Sequence, residues 1–198
     1  MSYLKFQRWY NLKRAQLFTR ILRADFGDIG KGALIYPPFH SNNASEVYLG
    51  ANCQIHPGGW IDTISEYSGV KHTGRIEIGD GTYFGHRVHI GACRNMVIGK
   101  DVVVADNVYI SDLFHGFDDI NLPVLLTPLV SPGPIVIEDQ VWLGERVCVM
   151  PNVRIGKHSV IGANSVVTRD IPPYSVAVGI PARVIKKFNP VTSQWERV

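Results

Sequence analysis

Residues 137–172 read IEDQVW LGERVC VMPNVR IGKHSV IGANSV VTRDIP, six blocks of six in one register. Ile137, Leu143, Val149, Ile155, Ile161 and Val167 open the blocks, and Gly144, Gly156 and Gly162 follow three of them. The fifth position is small or β-branched throughout, at Val141, Val147, Val153, Ser159, Ser165 and Ile171. A period of six is neither the 3.6 of a helix nor the plain alternation of a sheet that is polar on one side. It suits a coil of three short flat strands, in which each opening aliphatic points inward and stacks on its equivalents above and below. The compact second residue lets the chain bend at the corner.

The same beat runs upstream through Ile98, Val104 and Ile110, through Ile78, Phe84 and Ile90, and through Leu49, Ile55 and Ile61, giving fifteen positions in five sets of three. A short-stranded sandwich also alternates apolar residues with glycine turns, but it would not hold phase through six successive repeats. The spacing therefore predicts a parallel β-helix. It divides the chain into an N-terminal amphipathic helical segment (1–28), the solenoid (29–182) and a C-terminal tail (183–198).

Composition limits the partners. With 198 residues and a formal charge of +3, and without an arginine-glycine tract or an aromatic-basic motif, the chain offers no case for nucleic acid. Cys53, Cys93 and Cys148 are odd in number and include no C-x-x-C pair, which argues against a disulfide framework or a zinc ribbon and for the reducing cytoplasm. No apolar run approaches a membrane span, and the N-terminus lacks the apolar core of a signal peptide.

Three segments leave the beat. DTISEYSGVKHTGR (62–75) and SDLFHGFDDINLPVLLTPLVSPGP (111–134) read as loops thrown out from the coil stack, where binding and catalysis usually sit. The third is the stretch before Asp25, which places Lys5, Arg8, Lys13, Arg14, Arg20 and Arg23 ahead of any acid. It reads as a basic amphipathic helix with Leu4, Trp9, Leu12, Phe18, Ile21 and Leu22 as apolar anchors. Such a helix either caps an open end of the solenoid or lies on an anionic membrane.

VWLG (141–144), IGANSVV (161–167) and GIPARVIKK (179–187) resemble the hexapeptide-repeat acyltransferases, and SDLFHG (111–116) with QWERV (194–198) resembles the members that O-acetylate bacterial lipopolysaccharide and capsule sugars. The resemblance covers about residues 45–198. It implies a left-handed β-helix, a homotrimer, and acetyl-coenzyme A as the donor, lying between neighbouring subunits, with no metal. An N-acetyltransferase of a nucleotide-linked amino sugar is the runner-up.

Transfer of an acetyl group to a sugar hydroxyl needs a base, and a neutral histidine suits it. The resemblance gives that role to His115, and Asp112 is the candidate to orient its ring. It places the oxyanion donors at the Gly144–Glu145 corner, with Trp142 as a wall of the groove. Arg183 and Lys186 fall at the coenzyme phosphates, and Ala163, Thr168 and Arg169 along the groove. One position departs from the pattern: many sugar-acetylating members have an asparagine where this chain has Gly85, so His86 and His89 become candidates for the acceptor's hydroxyls.

Two other classes fit less well. A trimeric β-helix carbonic anhydrase holds zinc by three histidines, but His86 and His89 lack a second pair at the spacing of that family. A purely structural β-helix has no need to combine SDLFHG with a basic C-terminal stretch.

Overall fold

In the computed structural model, which describes residues 2–198, the hexads close into a left-handed parallel β-helix. Each of six coils gives one strand to each of three parallel sheets, from Asp28–Ile29 in the first coil to Val166–Val167 in the sixth. Their opening residues stack as three ladders. Ile29, Leu49, Ile78, Ile98, Ile137 and Ile155 align on the first sheet. Ile35, Ile55, Phe84, Val104, Leu143, Ile161 and Ala177 align on the second. Ile61, Ile90, Ile110, Val149 and Val167 align on the third. All are buried, and at about 1.5–3 kcal/mol for each large aliphatic this is the main source of stability.

The corners rest on a backbone device. Three residues after the opening aliphatic the chain turns left-handed, with φ of 58° at Asn52, 53° at Arg87, 60° at Asn107, 56° at Arg146 and 58° at Asn164. A side chain disfavours this conformation. The corner offsets it with a bond between coils: the amide of Asn107 donates to the His86 carbonyl, that of Arg146 to Asp106 and that of Asn164 to Glu145.

The coil containing Ile29 and Ile35 was not among the five sets read from the spacing. Its third strand, Phe39–His40, pairs with Gly59–Trp60, so the residue level with Ile61 is the polar Ser41. Phe39 packs on the core instead, with Phe26 against it at 5.9 Å between ring centroids.

Both ends of the stack are covered. Helix α1 (Tyr3–Leu22) buries Ala15 and Thr19 against the first coil, and Phe18 and Leu22 pack on the core. The Thr19 hydroxyl accepts from the Ile35 amide at 2.7 Å, and Arg23 Nη1 donates to the Ile29 carbonyl at 2.5 Å, so the helix satisfies groups on the free edge. The other expected anchors, Leu4, Trp9, Leu12 and Ile21, are exposed, because the helix docks only along the stripe centred on Ala15 and Thr19. At the far end the stretch read as a tail is ordered: Ser175–Gly179, Ala182–Asn189 and Gln194–Arg197 form an antiparallel meander that extends the second sheet.

Candidate active site

Both excursions leave the stack at the corner between the third and first sheets. The shorter departs after Gly59–Thr63, forms the hairpin Glu66–Tyr67 with Val70–Lys71, and returns at Arg75–Ile78. The longer departs after Tyr109–Ser111, pairs Phe114–His115 antiparallel with Leu129–Val130, and returns at Val136–Ile137. An aspartate anchors each root to the coil before it. Asp62 accepts from the amide and side chain of Asn42 and from Trp60 Nε1.

Asp112 accepts from the amides of Cys93 at 2.8 Å and Arg94 at 2.9 Å. Sequence reasoning offered Asp112 to orient the His115 ring, but both of its oxygens are engaged by backbone and His115 is not a partner. Its side chain is fully buried, and that burial raises its pKa above the usual carboxylate value. Its work is to hold the base of the loop.

His115 is half-buried, and its Nδ1 is sealed from solvent with no hydrogen-bond partner among the described residues. That leaves Nε2 as the nitrogen a ligand can reach. The ring of Tyr67 stands edge-on to the imidazole, and the Tyr67 hydroxyl donates to the Leu125 carbonyl at 2.8 Å. The two loops thus form one unit around the histidine. Nothing in the sequence signalled this, because Tyr67 lies in the other loop.

At the Gly144–Glu145 corner the expected pair of oxyanion donors reduces to one. The Gly144 amide donates to the Ile161 carbonyl within the ladder. A hexad rule makes Glu145 available. The amides of Ala51, His86 and Lys100, each two residues after an opening aliphatic, are capped by Asp80, Asp106 and Asp139 of the following coil. Above Glu145 the equivalent residue is Ala163, which has no carboxylate to give. Gly144 itself is required, since a Cβ there would lie 2.7 Å from the Ala163 nitrogen.

Trp142 is half exposed on the outer face of the second sheet, between Val103 and Val160 in register. Ala163, Thr168 and Arg169 are exposed on the last coil. Arg183 and Lys186 lie on the meander strand, opposite Val178 and Val176. These residues therefore share the C-terminal end of the stack, while His115 projects from its middle.

Gly85 has a structural reason. A Cβ there would lie 2.3 Å from Asp106 Oδ1, the oxygen that accepts from the His86 amide at 2.8 Å, so the space of a side chain is taken. His86 Nδ1 is 3.3 Å from the same carboxylate, and the His86 ring stands edge-on to His56 at 5.1 Å. His56 is flanked by Tyr36 and Tyr83, each with its centroid 4.9 Å away. His89 belongs to another group, stacked on Trp60 at 4.5 Å and 9° and edge-on to Tyr109. Burial lowers the pKa of both His56 and His89. Sequence reasoning passed over Tyr36 and His56; the available signal was their bulk at the position after the aliphatic, where later coils carry glycine or alanine.

A family model described as bacterial transferase hexapeptide (six repeats) matches residues 134–169. The Escherichia coli K12 protein WbbJ, named as an O-acetyl transferase of lipopolysaccharide biosynthesis, is 34% identical over 167 residues, covering 81% of each chain. A hexapeptide-repeat acetyltransferase of Vibrio cholerae, solved with acetyl-coenzyme A, superposes with a TM-score of 0.57 at 26% identity over 86% of this chain and 76% of that one. An N-acyltransferase of Bacillus cereus, solved with a dTDP-amino sugar and coenzyme A, gives a TM-score of 0.72 over 88% and 91% of the two chains; at 18% identity it attests the fold alone.

Proposed function

The chain belongs to the hexapeptide-repeat acetyltransferases, and from that premise we propose that it moves an acetyl group from acetyl-coenzyme A to a sugar hydroxyl in the assembly of a surface polysaccharide. The observation that carries this reading is His115, held by two loops with one ring nitrogen sealed and the other open to a ligand. His115 takes the hydroxyl proton as the oxygen attacks the thioester carbonyl. The C–O bond forms, the C–S bond breaks, and the same histidine returns the proton to the departing thiolate. The Glu145 amide is placed to donate to the oxyanion. Trp142, Ala163, Thr168, Arg169, Arg183 and Lys186 make up the donor groove, with Arg183 and Lys186 on the phosphates.

The remaining candidates fit one site only across a subunit boundary. His115 meets Tyr67, His86 meets His56, and the donor residues lie at the end of the stack. We therefore place the site between neighbouring subunits of a homotrimer. No described helix is long and apolar enough to cross a membrane. The exposed Phe6, Trp9, Tyr10, Leu17 and Ile21 face away from the docked stripe of α1, on a helix with five bases and no acid, which supports contact with an anionic membrane on the cytoplasmic side.

The test is incubation of the protein with labelled acetyl-coenzyme A and a panel of free, nucleotide-linked and lipid-linked sugars, with His115→Ala as the control. Label in an alkali-labile ester, lost in the variant, supports the reading. Label only in an amide on an amino sugar replaces the hydroxyl acceptor with an amine.

A further inference from the structure

Where α1 crosses the corner between the second and third sheets, it roofs a cavity of about 180 Å³. Asn11 and Arg14 line it from the helix, and Tyr36, Pro37, His56, Pro57 and His86 from three successive coils. The volume is that of about six water molecules. It admits a phosphate or diphosphate.

The lining is one-sided in charge. Arg14, Asn11, Tyr36 and the two imidazoles can all donate, and no carboxylate lines the cavity. The nearest acid, Asp106, is occupied by the amide and ring of His86. Arg14 has no acidic partner among the described residues; its guanidinium lies 5.6 Å from the Tyr10 ring. The helix above adds four further bases, Lys5, Arg8, Lys13 and Arg20, and no acid, so the local field favours an anion. The rings of Tyr36, His56 and Tyr83 brace one another, which fixes the donors in place.

We infer that this pocket binds phosphate oxygens of the acceptor, so that the sugar is presented as a phosphoester or diphosphate. This rests on the proposed function, because His86, one of the two histidines offered for the acceptor, lines the pocket. Arg14 supplies a planar fork of donors, the geometry that matches phosphate, and Asn11 and His56 complete the contacts. The carrier is a nucleoside or a lipid; the bound group is the same for both.

The experiment has a binding arm and a transfer arm. In the first, inorganic pyrophosphate is titrated calorimetrically into the full-length protein saturated with coenzyme A, so that donor phosphate sites are already filled. Binding weakened at least tenfold by Arg14→Gln, and unchanged by Arg183→Ala, is expected. No binding, binding indifferent to Arg14→Gln, or binding abolished by coenzyme A would overturn the pocket. Arg14 is exposed on the helix, and matching melting curves exclude misfolding of the variant. In the second arm, Arg14→Gln raises KM at least tenfold for nucleoside-diphosphate or polyprenyl-diphosphate sugars and leaves KM for free sugar unchanged. The carrier whose KM responds is the source. If acetyl transfer fails with every acceptor while pyrophosphate still binds through Arg14, the pocket stands and the acetyltransferase reading falls. An equal effect on free sugar removes the phosphate assignment.

Discussion

Tyr67 and His115 come from different excursions, yet their rings meet edge to face, 5.2 Å apart at 69°, with the Tyr67 hydroxyl tied to Leu125. The imidazole is therefore positioned by a residue that follows the second coil, although it is itself carried by the loop after the fourth. Tyr67→Ala is expected to lower kcat by about ten- to a hundredfold through loss of position, while Tyr67→Phe, which keeps the ring, loses less. Equal turnover in wild type and Tyr67→Ala would show that the contact does not position the base.

His115→Ala removes the proposed proton acceptor. The expected loss is about two to four orders of magnitude in kcat, with KM for acetyl-coenzyme A little changed. Near-normal turnover in steady-state assays would take His115 out of the chemistry.

Asp112 answers to a different measurement. Asp112→Asn turns an amide NH2 toward a backbone N–H, which costs about 1–3 kcal/mol. The variant should melt earlier, while the folded enzyme keeps the wild-type pH–rate profile. A displaced pH optimum at unchanged stability would restore Asp112 as partner of the histidine.

The hexads were legible because an aliphatic facing a narrow core imposes its period locally, as at Ile137 to Val167. The first coil was not, since Ser41 and Phe39 break the pattern on its third side. His115 could be found from its motif, but its brace could not: Tyr67, like the Cys93 and Arg94 amides that engage Asp112, is brought near only by coiling. Gly85 read as a missing contact, and only the carboxylate of Asp106 in the next coil explains it. Ordering of residues 183–198 likewise depends on an edge, that of Ser175–Gly179, whose exposure no local pattern announces.

Capping by α1 can be measured at one atom. Thr19→Val keeps the shape of the side chain and leaves the buried Ile35 amide without its acceptor, for about 1–3 kcal/mol and about 2–4 °C in Tm per kcal/mol in a domain of this size. An unchanged melting curve would mean that the helix does not secure this edge.

Acid should weaken the fold through His89. Its folded pKa lies below the ordinary 6.5 because of burial, so below that value the unfolded chain binds the proton more readily. Stability on this account is intact above pH 6.5 and declines as the pH falls toward the lowered value. His89→Phe, which keeps a ring against Trp60, should flatten the fall in Tm between pH 7 and 5. An identical slope in the two proteins would show that His89 does not set it.

The two excursions share one corner of the coil, and each begins beside an aspartate fastened to the coil before it. The strands that resume after them, Arg75–Ile78 and Val136–Ile137, both pair with Asn95–Ile98, the strand that follows the tight Cys93–Arg94 corner. The ladder is thus continuous whether a corner is crossed by two residues or by a long insertion. Such a corner behaves as a cassette slot. The segments between Asp62 and Arg75 and between Asp112 and Val136 could be exchanged between homologues with every residue of the three stacked ladders left in place.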